Sequence, residues 1–399
     1  MKKYFSFVVL LLFSFVSLAQ VNVKWNDSEI ISLLHGKRVG LVCNHTSLLD
    51  VKQNPRQDAK KDILQSSACK ATNNNFEKHL KEKRINTLQN TTKTIHRIDY
   101  LLSLGIELKT VFTPEHGLTG LADAGAKVND STIRDGKILV RSLYGNSKKP
   151  KKEWLKDIDV MIFDLQDVGC RFYTYISTLE YVMQACIESN IPLVVYDRPN
   201  PNNYVDGPVL EKQYRSFVGM QPIPVCYGLT MGEYANMINQ EHWVNKDLTC
   251  ELYVATMQDY KREEQNSLPV PPSPNLRTLQ SIKNYPTLCF FEGTPFSVGR
   301  GTDIPFEKIG FQNPKNSKDT IWFEIKLEEK KIDVQTLIDM YKKYPYKDKF
   351  FAKFFDTLAG TDKLRKQIQQ GKTAAQIRES WQKDLEEYLK IRDKYLLYF

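Results

Sequence analysis

The segment Thr113-Pro114-Glu115-His116-Gly117 directly follows an apolar, strand-like run at 108–112. A charged residue at the end of a buried strand is costly unless it meets a ligand or a partner. The same arrangement recurs three times. The run at 39–43 leads into Asn44-His45-Thr46, the run at 160–163 into Asp164-Leu165-Gln166-Asp167, and the run at 193–196 into Asp197-Arg198-Pro199-Asn200. Ligands of open α/β sheets bind just beyond the carboxyl ends of the strands. Four such ends predict one crevice lined with polar groups. The plainer alternative is that these residues cap loops and the helices that follow.

The chemistry these residue types suit is acid–base work on a sugar. Glu115, at the rim of an apolar crevice, is the candidate general acid. Asp164 or Asp167 is the candidate second carboxylate, with Asp164 preferred for its direct strand-end position and Glu292 as the fallback. Carboxylates, amides, arginine and aromatic rings together fit a ligand with hydroxyls and an apolar ring face. The candidates for contact are Asn44, His45, His116, Gln166, Arg171, Tyr173, Arg198, Asn200, Glu292, Arg300 and Thr302. Arg171 and Asp167 could instead form a structural ion pair. The glycines around Arg300 let backbone approach a ligand closely, and Arg300 could grip a carboxylate with two hydrogen bonds.

Other chemistries lack their residues. With six His and no His-x-x-x-His or His-Glu-x-x-His spacing, neither a metal nor a cofactor is expected. No Gly-x-Gly-x-x-Gly follows a first strand, and there is no phosphate loop and no Gly-x-Ser-x-Gly elbow. Ser67-Ala68-Cys69-Lys70 has the Ser-x-x-Lys spacing of penicillin-binding enzymes but lacks the partner motifs and reads as a chance match.

Several features predict export. Lys2 and Lys3 precede an apolar run at 5–18, too short to span a bilayer, and Ser17-Leu18-Ala19 supplies small residues for cleavage. We therefore expect a signal peptide at 1–19 and a periplasmic or secreted protein without a membrane anchor. The net charge of +9 then points towards an acidic wall polymer rather than nucleic acid. The densest basic run, Lys148-Lys149-Pro150-Lys151-Lys152, reads as a solvated loop. Seven cysteines without a Cys-x-x-Cys pair read as buried, uncharged thiols rather than a disulfide framework.

Positioning these residues requires an α/β fold. Residues 25–207 alternate near-continuous apolar strands with helical patterns, at 94–104 and 174–190 among others. That pattern predicts a Rossmann-like parallel sheet covered on both faces. A polar excursion at 51–93 interrupts it. Residues 208–399 read as a smaller α+β domain closing the cleft. It contains an irregular Pro271-Pro272-Ser273-Pro274-Asn275 stretch, an alternating strand at 321–327 and two amphipathic helices after 361 joined near Gly371-Lys372.

The motifs occur in the order of a known family. Asn44-His45-Thr46, Thr113-Pro114-Glu115-His116-Gly117, the run from Asp167 to Tyr175, Asp197-Arg198-Pro199-Asn200-Pro201, the proline stretch, Gly299-Arg300-Gly301-Thr302 and Leu358-Ala359-Gly360-Thr361-Asp362 resemble the bacterial exo-β-N-acetylmuramidases. The resemblance implies a site in the cleft between a Rossmann-like domain and a smaller one. It implies release of N-acetylmuramic acid from the non-reducing ends of peptidoglycan fragments, with the family's catalytic glutamate at Glu115. Among the arginines, Arg300 or Arg198 is expected to read the lactyl carboxylate of such a sugar. The chain departs from the family in its long connection at 51–93 and in Cys170, where a small Ala is more usual. A non-catalytic glycan-binding protein is the alternative.

Overall fold

The computed structural model of the chain describes residues 24–52, 92–123, 125–126, 129–145, 147–264, 268–328 and 330–398. The expected signal peptide, most of the 51–93 excursion and the Ser67–Lys70 match lie outside the described residues.

Eight strands form one sheet. In chain order they are β1 (Lys24–Trp25), β2 (Arg38–Cys43), β5 (Glu107–Thr113), β6 (Ser131–Ile133), β7 (Ile138–Ser142), β8 (Val160–Asp164), β9 (Leu193–Tyr196) and β12 (Leu252–Ala255). Their spatial order is β1-β12-β9-β8-β2-β5-β7-β6, and every pairing is parallel except β6 with β7. The order reverses at β2, which has β5 on one side and β8 on the other. That reversal opens a crevice beyond the strand ends, and the α/β fold follows the sequence reading.

The apolar runs are continuous because both faces are buried. Val42, Phe112, Phe163 and Val195 are neighbours in register and pack into one core. Leu41, Val111, Ile162 and Val194, one residue earlier in each strand, pack into the other. Side chains alternate between faces along a strand. The second core is closed by the helices Asp27–Leu34 and Arg97–Ser103. The first is larger and runs on into the C-terminal half through Tyr285, Phe306 and Phe350.

Three expectations are corrected. The helix expected at 94–104 is shortened to Arg97–Ser103, because 92–96 is spent on strand β4 (Thr92–His96). That strand pairs antiparallel with β3 (Leu48–Lys52) and so ties the two ends of the excursion together. The division at 207/208 is too early: β12 joins the main sheet beside β9, and β10 (Val205–Asp206) pairs with β11 (Cys226–Tyr227) across it. The C-terminal region holds three helices, Lys363–Gln369, Ala374–Glu379 and Gln382–Arg392, rather than two. Gly371, at φ 76°, ends the first, and a Thr373–Gln376 capping box restarts the chain. The alternating strand appears as β14 (Asn316–Glu324), paired with β13 (Lys308–Asn313). The six described cysteines are buried and free.

Candidate active site

Strand β5 delivers Glu115. Val111, Phe112 and Thr113 are fully buried, and Pro114 has no N–H with which to continue the ladder. The chain then reverses through His116 (φ 72°) and Gly117 (φ 69°). A left-handed histidine costs on the order of 1 kcal/mol or more and is held only where the surroundings fix it. Here the ring does so, since Nδ1–H of His116 donates to the carbonyl of Ala122 at 2.6 Å. The reversal leaves the Glu115 carboxylate half-exposed with two donors on it. The N–H of Gly125 reaches Oε1 at 3.0 Å, and the hydroxyl of Thr174 reaches Oε2 at 2.8 Å. Tyr144, just beyond the end of β7, also faces this carboxylate. Burial and the neighbouring Glu115 charge push its hydroxyl up to about 12, so it stays protonated.

The entry to helix Tyr175–Ser189 forms the floor. Tyr175 accepts from the amide of Asn44 at 2.7 Å and reaches the Glu115 carbonyl at 3.5 Å. Asn44, buried at the end of β2, also accepts from the N–H and hydroxyl of Thr46. The proline stretch is pinned above by its carbonyls. His45 Nε2–H donates to Pro271 at 2.8 Å and the Tyr173 hydroxyl to Pro272 at 2.9 Å. Burial pushes the His45 imidazole down, towards its neutral form. Its ring is accommodated by Gly120, where a Cβ would stand 1.9 Å from Nδ1. These two bonds bring Ser273 and Asn275 into the wall.

The resulting cleft has a volume of about 350 Å³. Its lining includes Glu115, Tyr144 and Thr174, and also Glu292, Arg300 and Phe306. Glu292 accepts from Arg300 Nε at 2.7 Å and from its terminal nitrogen at 2.6 Å. Phe172, Tyr173, Tyr285 and Phe217 supply ring faces. A carboxylate among fixed donors, between aromatic walls, can hold a sugar ring and move a proton at its glycosidic oxygen.

Of the residues expected in this site, Glu115, His116, Tyr173, Glu292 and Arg300 line the cleft, and Asn44 and His45 support its walls. The others serve elsewhere. Asp164 is wholly buried and bonded to Arg198 Nε at 2.6 Å and Arg97 Nε at 2.9 Å. Burial pushes its carboxyl up, but the two guanidiniums outweigh that and hold it below the usual carboxylate range. Asp167 is buried too, with one oxygen taken by the N–H of Gly169 and the hydroxyl of Tyr227, and burial raises it to about 7. Neither lines the cleft, whereas Glu292, the fallback, does.

The expected Asp167–Arg171 ion pair does not form either. Arg171 is fully buried, and its two terminal nitrogens donate to the carbonyls of Pro208, Ile223, Leu358 and Ala359. Burial lowers its pKa to about 10. It ties the helix entry to the C-terminal half and is no sugar ligand. Arg198 is occupied by Asp164 and the Leu48 carbonyl. Gln166 donates to Asp167 and Pro199, Asn200 donates to Leu229, and Thr302 turns back onto Gly299.

Tyr144, Lys148, Thr174, Asn275 and Phe217 were not chosen from the sequence. For Tyr144 a signal existed, because it follows a fifth strand end by the same rule as the other four. Thr174 lay within the motif from Asp167 to Tyr175, but nothing in its spacing marked it as facing Glu115.

Comparison with known proteins identifies the family. The N-terminal model of the exo-beta-N-acetylmuramidase NamZ family matches residues 85–280. The C-terminal model matches 283–333 and 323–398. The chain is 37% identical over 371 residues to the peptidoglycan beta-N-acetylmuramidase NamZ of Bacillus subtilis (strain 168), covering 81% of this chain and 89% of that protein. Two crystal structures of DUF1343 family proteins from Bacteroides fragilis NCTC 9343 are similar to it. One has a TM-score of 0.72 at 32% identity, covering 93% of this chain and 96% of the other. The second has 0.71 at 27% identity, covering 93% and 97%. The chain belongs to the NamZ family of exo-β-N-acetylmuramidases.

Proposed function

We propose that this glycoside hydrolase releases N-acetylmuramic acid from the non-reducing ends of peptidoglycan fragments, with Glu115 as the general acid and base. The observation that carries the reading is the Glu115 carboxylate itself. It stands in an aromatic-walled cleft, aligned by Gly125 and Thr174, within the stretch matched by the N-terminal model of a muramidase family. Protonated Glu115 would donate to the leaving oxygen, and the ionised form would then accept a proton from water. Glu292 is the second carboxylate of the proposal. Two guanidinium nitrogens of Arg300 hold one oxygen of its carboxylate, and in the cleft it would stabilise positive charge developing on the sugar or orient water. Export to the compartment that holds peptidoglycan is part of the proposal, and fractionation of expressing cells checks it.

The test is product analysis on a disaccharide that ends in N-acetylmuramic acid. Mass spectrometry should find free N-acetylmuramic acid, and no release from a chain ending in N-acetylglucosamine. Binding without any release would return the protein to the non-catalytic, glycan-binding reading.

A further inference from the structure

Muramic acid differs from N-acetylglucosamine by a lactyl ether that ends in a carboxylate. A site that prefers muramic acid needs a cation left unpaired until that carboxylate arrives. The expected candidates do not meet this condition. Arg198 is held by Asp164, outside the cleft wall. Arg300 lines the cleft, but Glu292 takes both its Nε and a terminal nitrogen. Among the described residues, the cleft has one other lysine or arginine, Lys148.

Lys148 follows Tyr144 in the loop after β7 and lines the same cleft as Glu115. No carboxylate of the described residues forms an ion pair with it, whereas the adjacent Lys149 is paired with Glu188 at 2.8 Å. Its ammonium lies 4.4 Å from the ring centroid of Phe217. That ring is itself fixed, stacked on Tyr181 at 6.1 Å and tilted against Tyr144 at 6.3 Å. A cation–π contact orients an ammonium without neutralising it. The lysine is thus half-buried, pre-positioned and free to accept an anion.

Resting on the muramidase reading, we propose that Lys148 pairs with the lactyl carboxylate and gives the site its preference for muramic acid. The basic run that looks like a solvated loop in sequence therefore contributes one lysine to specificity, while Lys151 and Lys152 remain exposed.

The test compares aryl glycosides of N-acetylmuramic acid and N-acetylglucosamine on wild type and Lys148→Met, which keeps an apolar stem against Phe217. It adds competitive inhibition by free N-acetylmuramic acid and by its lactyl amide. Loss of one charge-assisted bond should cut the muramic-to-glucosamine selectivity about ten- to a hundredfold. Wild type should bind the amide weaker than the acid by a similar factor, and Lys148→Met should bind the two alike. An equal loss on both glycosides, or a variant that still prefers the acid over the amide, overturns the assignment. If N-acetylglucosamine glycosides are not cleaved, the inhibitor pair alone decides. Failure of wild type to cleave the muramic glycoside at all would overturn the muramidase reading instead.

Discussion

The ends of β5 and β8 look alike in sequence and do opposite things. Each is an apolar run followed by an acid, Glu115 in one and Asp164 in the other. Asp164 is drawn inwards and neutralised by Arg97 and Arg198. Glu115 receives uncharged donors, from Gly125, Thr174 and the protonated Tyr144, and stays open to the cleft. The deciding difference is the supply of guanidinium groups. Arg97 opens the helix that follows β4, and Arg198 lies two residues beyond β9, the neighbour of β8, and both reach Asp164. Among the described residues, no arginine forms an ion pair with Glu115. A polar strand end is therefore a candidate for chemistry only when the fold leaves its charge uncompensated.

The contrast can be broken most forcefully at Asp164. Asp164→Asn leaves two buried guanidiniums facing an amide, and removing one partner of a buried pair costs about 3–5 kcal/mol. Chemical denaturation should show a loss of that order, while the protein that remains folded keeps a kcat within several-fold of wild type. Unchanged stability together with abolished kcat would make Asp164 a catalytic group after all.

A smaller effect is expected at Asp167. Burial raises its carboxyl from the ordinary value to about 7. Between about pH 4 and 7 the folded state then holds a proton that the unfolded chain has released. Stability should therefore fall as pH rises through that window, by at most about 1.4 kcal/mol per pH unit. Glu180, also raised to about 7, and Asp197, raised to about 6, act in the same direction. Asp167→Asn should flatten part of this slope in thermal melts taken across the range. A slope identical to wild type would mean that Asp167 is ionised in the fold.

The smallest effect concerns alignment. Thr174→Val removes the hydroxyl on Glu115 Oε2 without changing the side-chain shape. We expect kcat to drop about tenfold, in line with one hydrogen bond to a charged group, and Tm to stay within a few degrees. Steady-state kinetics beside a melting curve separates this from a folding defect.

Much of this arrangement was legible in the chain. The strands at 38–43, 160–164 and 193–196 are buried on both faces, so their composition identifies them without any partner. Glu115 follows from the same logic, one residue beyond a proline that stops its strand. What was not legible depends on distant pairing. β12 is four residues long and joins the sheet only because β9 offers an edge. The roles of Asp164 and Arg171 were hidden because burial, not residue type, decides whether a charge faces ligand or backbone. Lys148 was masked by three other lysines in a five-residue run, and only the placement of Phe217, about seventy residues on, sets it apart.

The central claim is that Glu115 protonates the leaving oxygen in a site that folds without its charge. The direct measurement is the turnover of Glu115→Gln on an unactivated muramic disaccharide and on a nitrophenyl glycoside, with a melting curve of the same preparation. The amide keeps the shape and cannot donate the proton. Loss of the acid should lower turnover of the disaccharide about 10²- to 10⁴-fold and that of the activated glycoside much less, with Tm close to wild type. Turnover of the disaccharide within tenfold of wild type, or an equal loss on both substrates, would contradict the account.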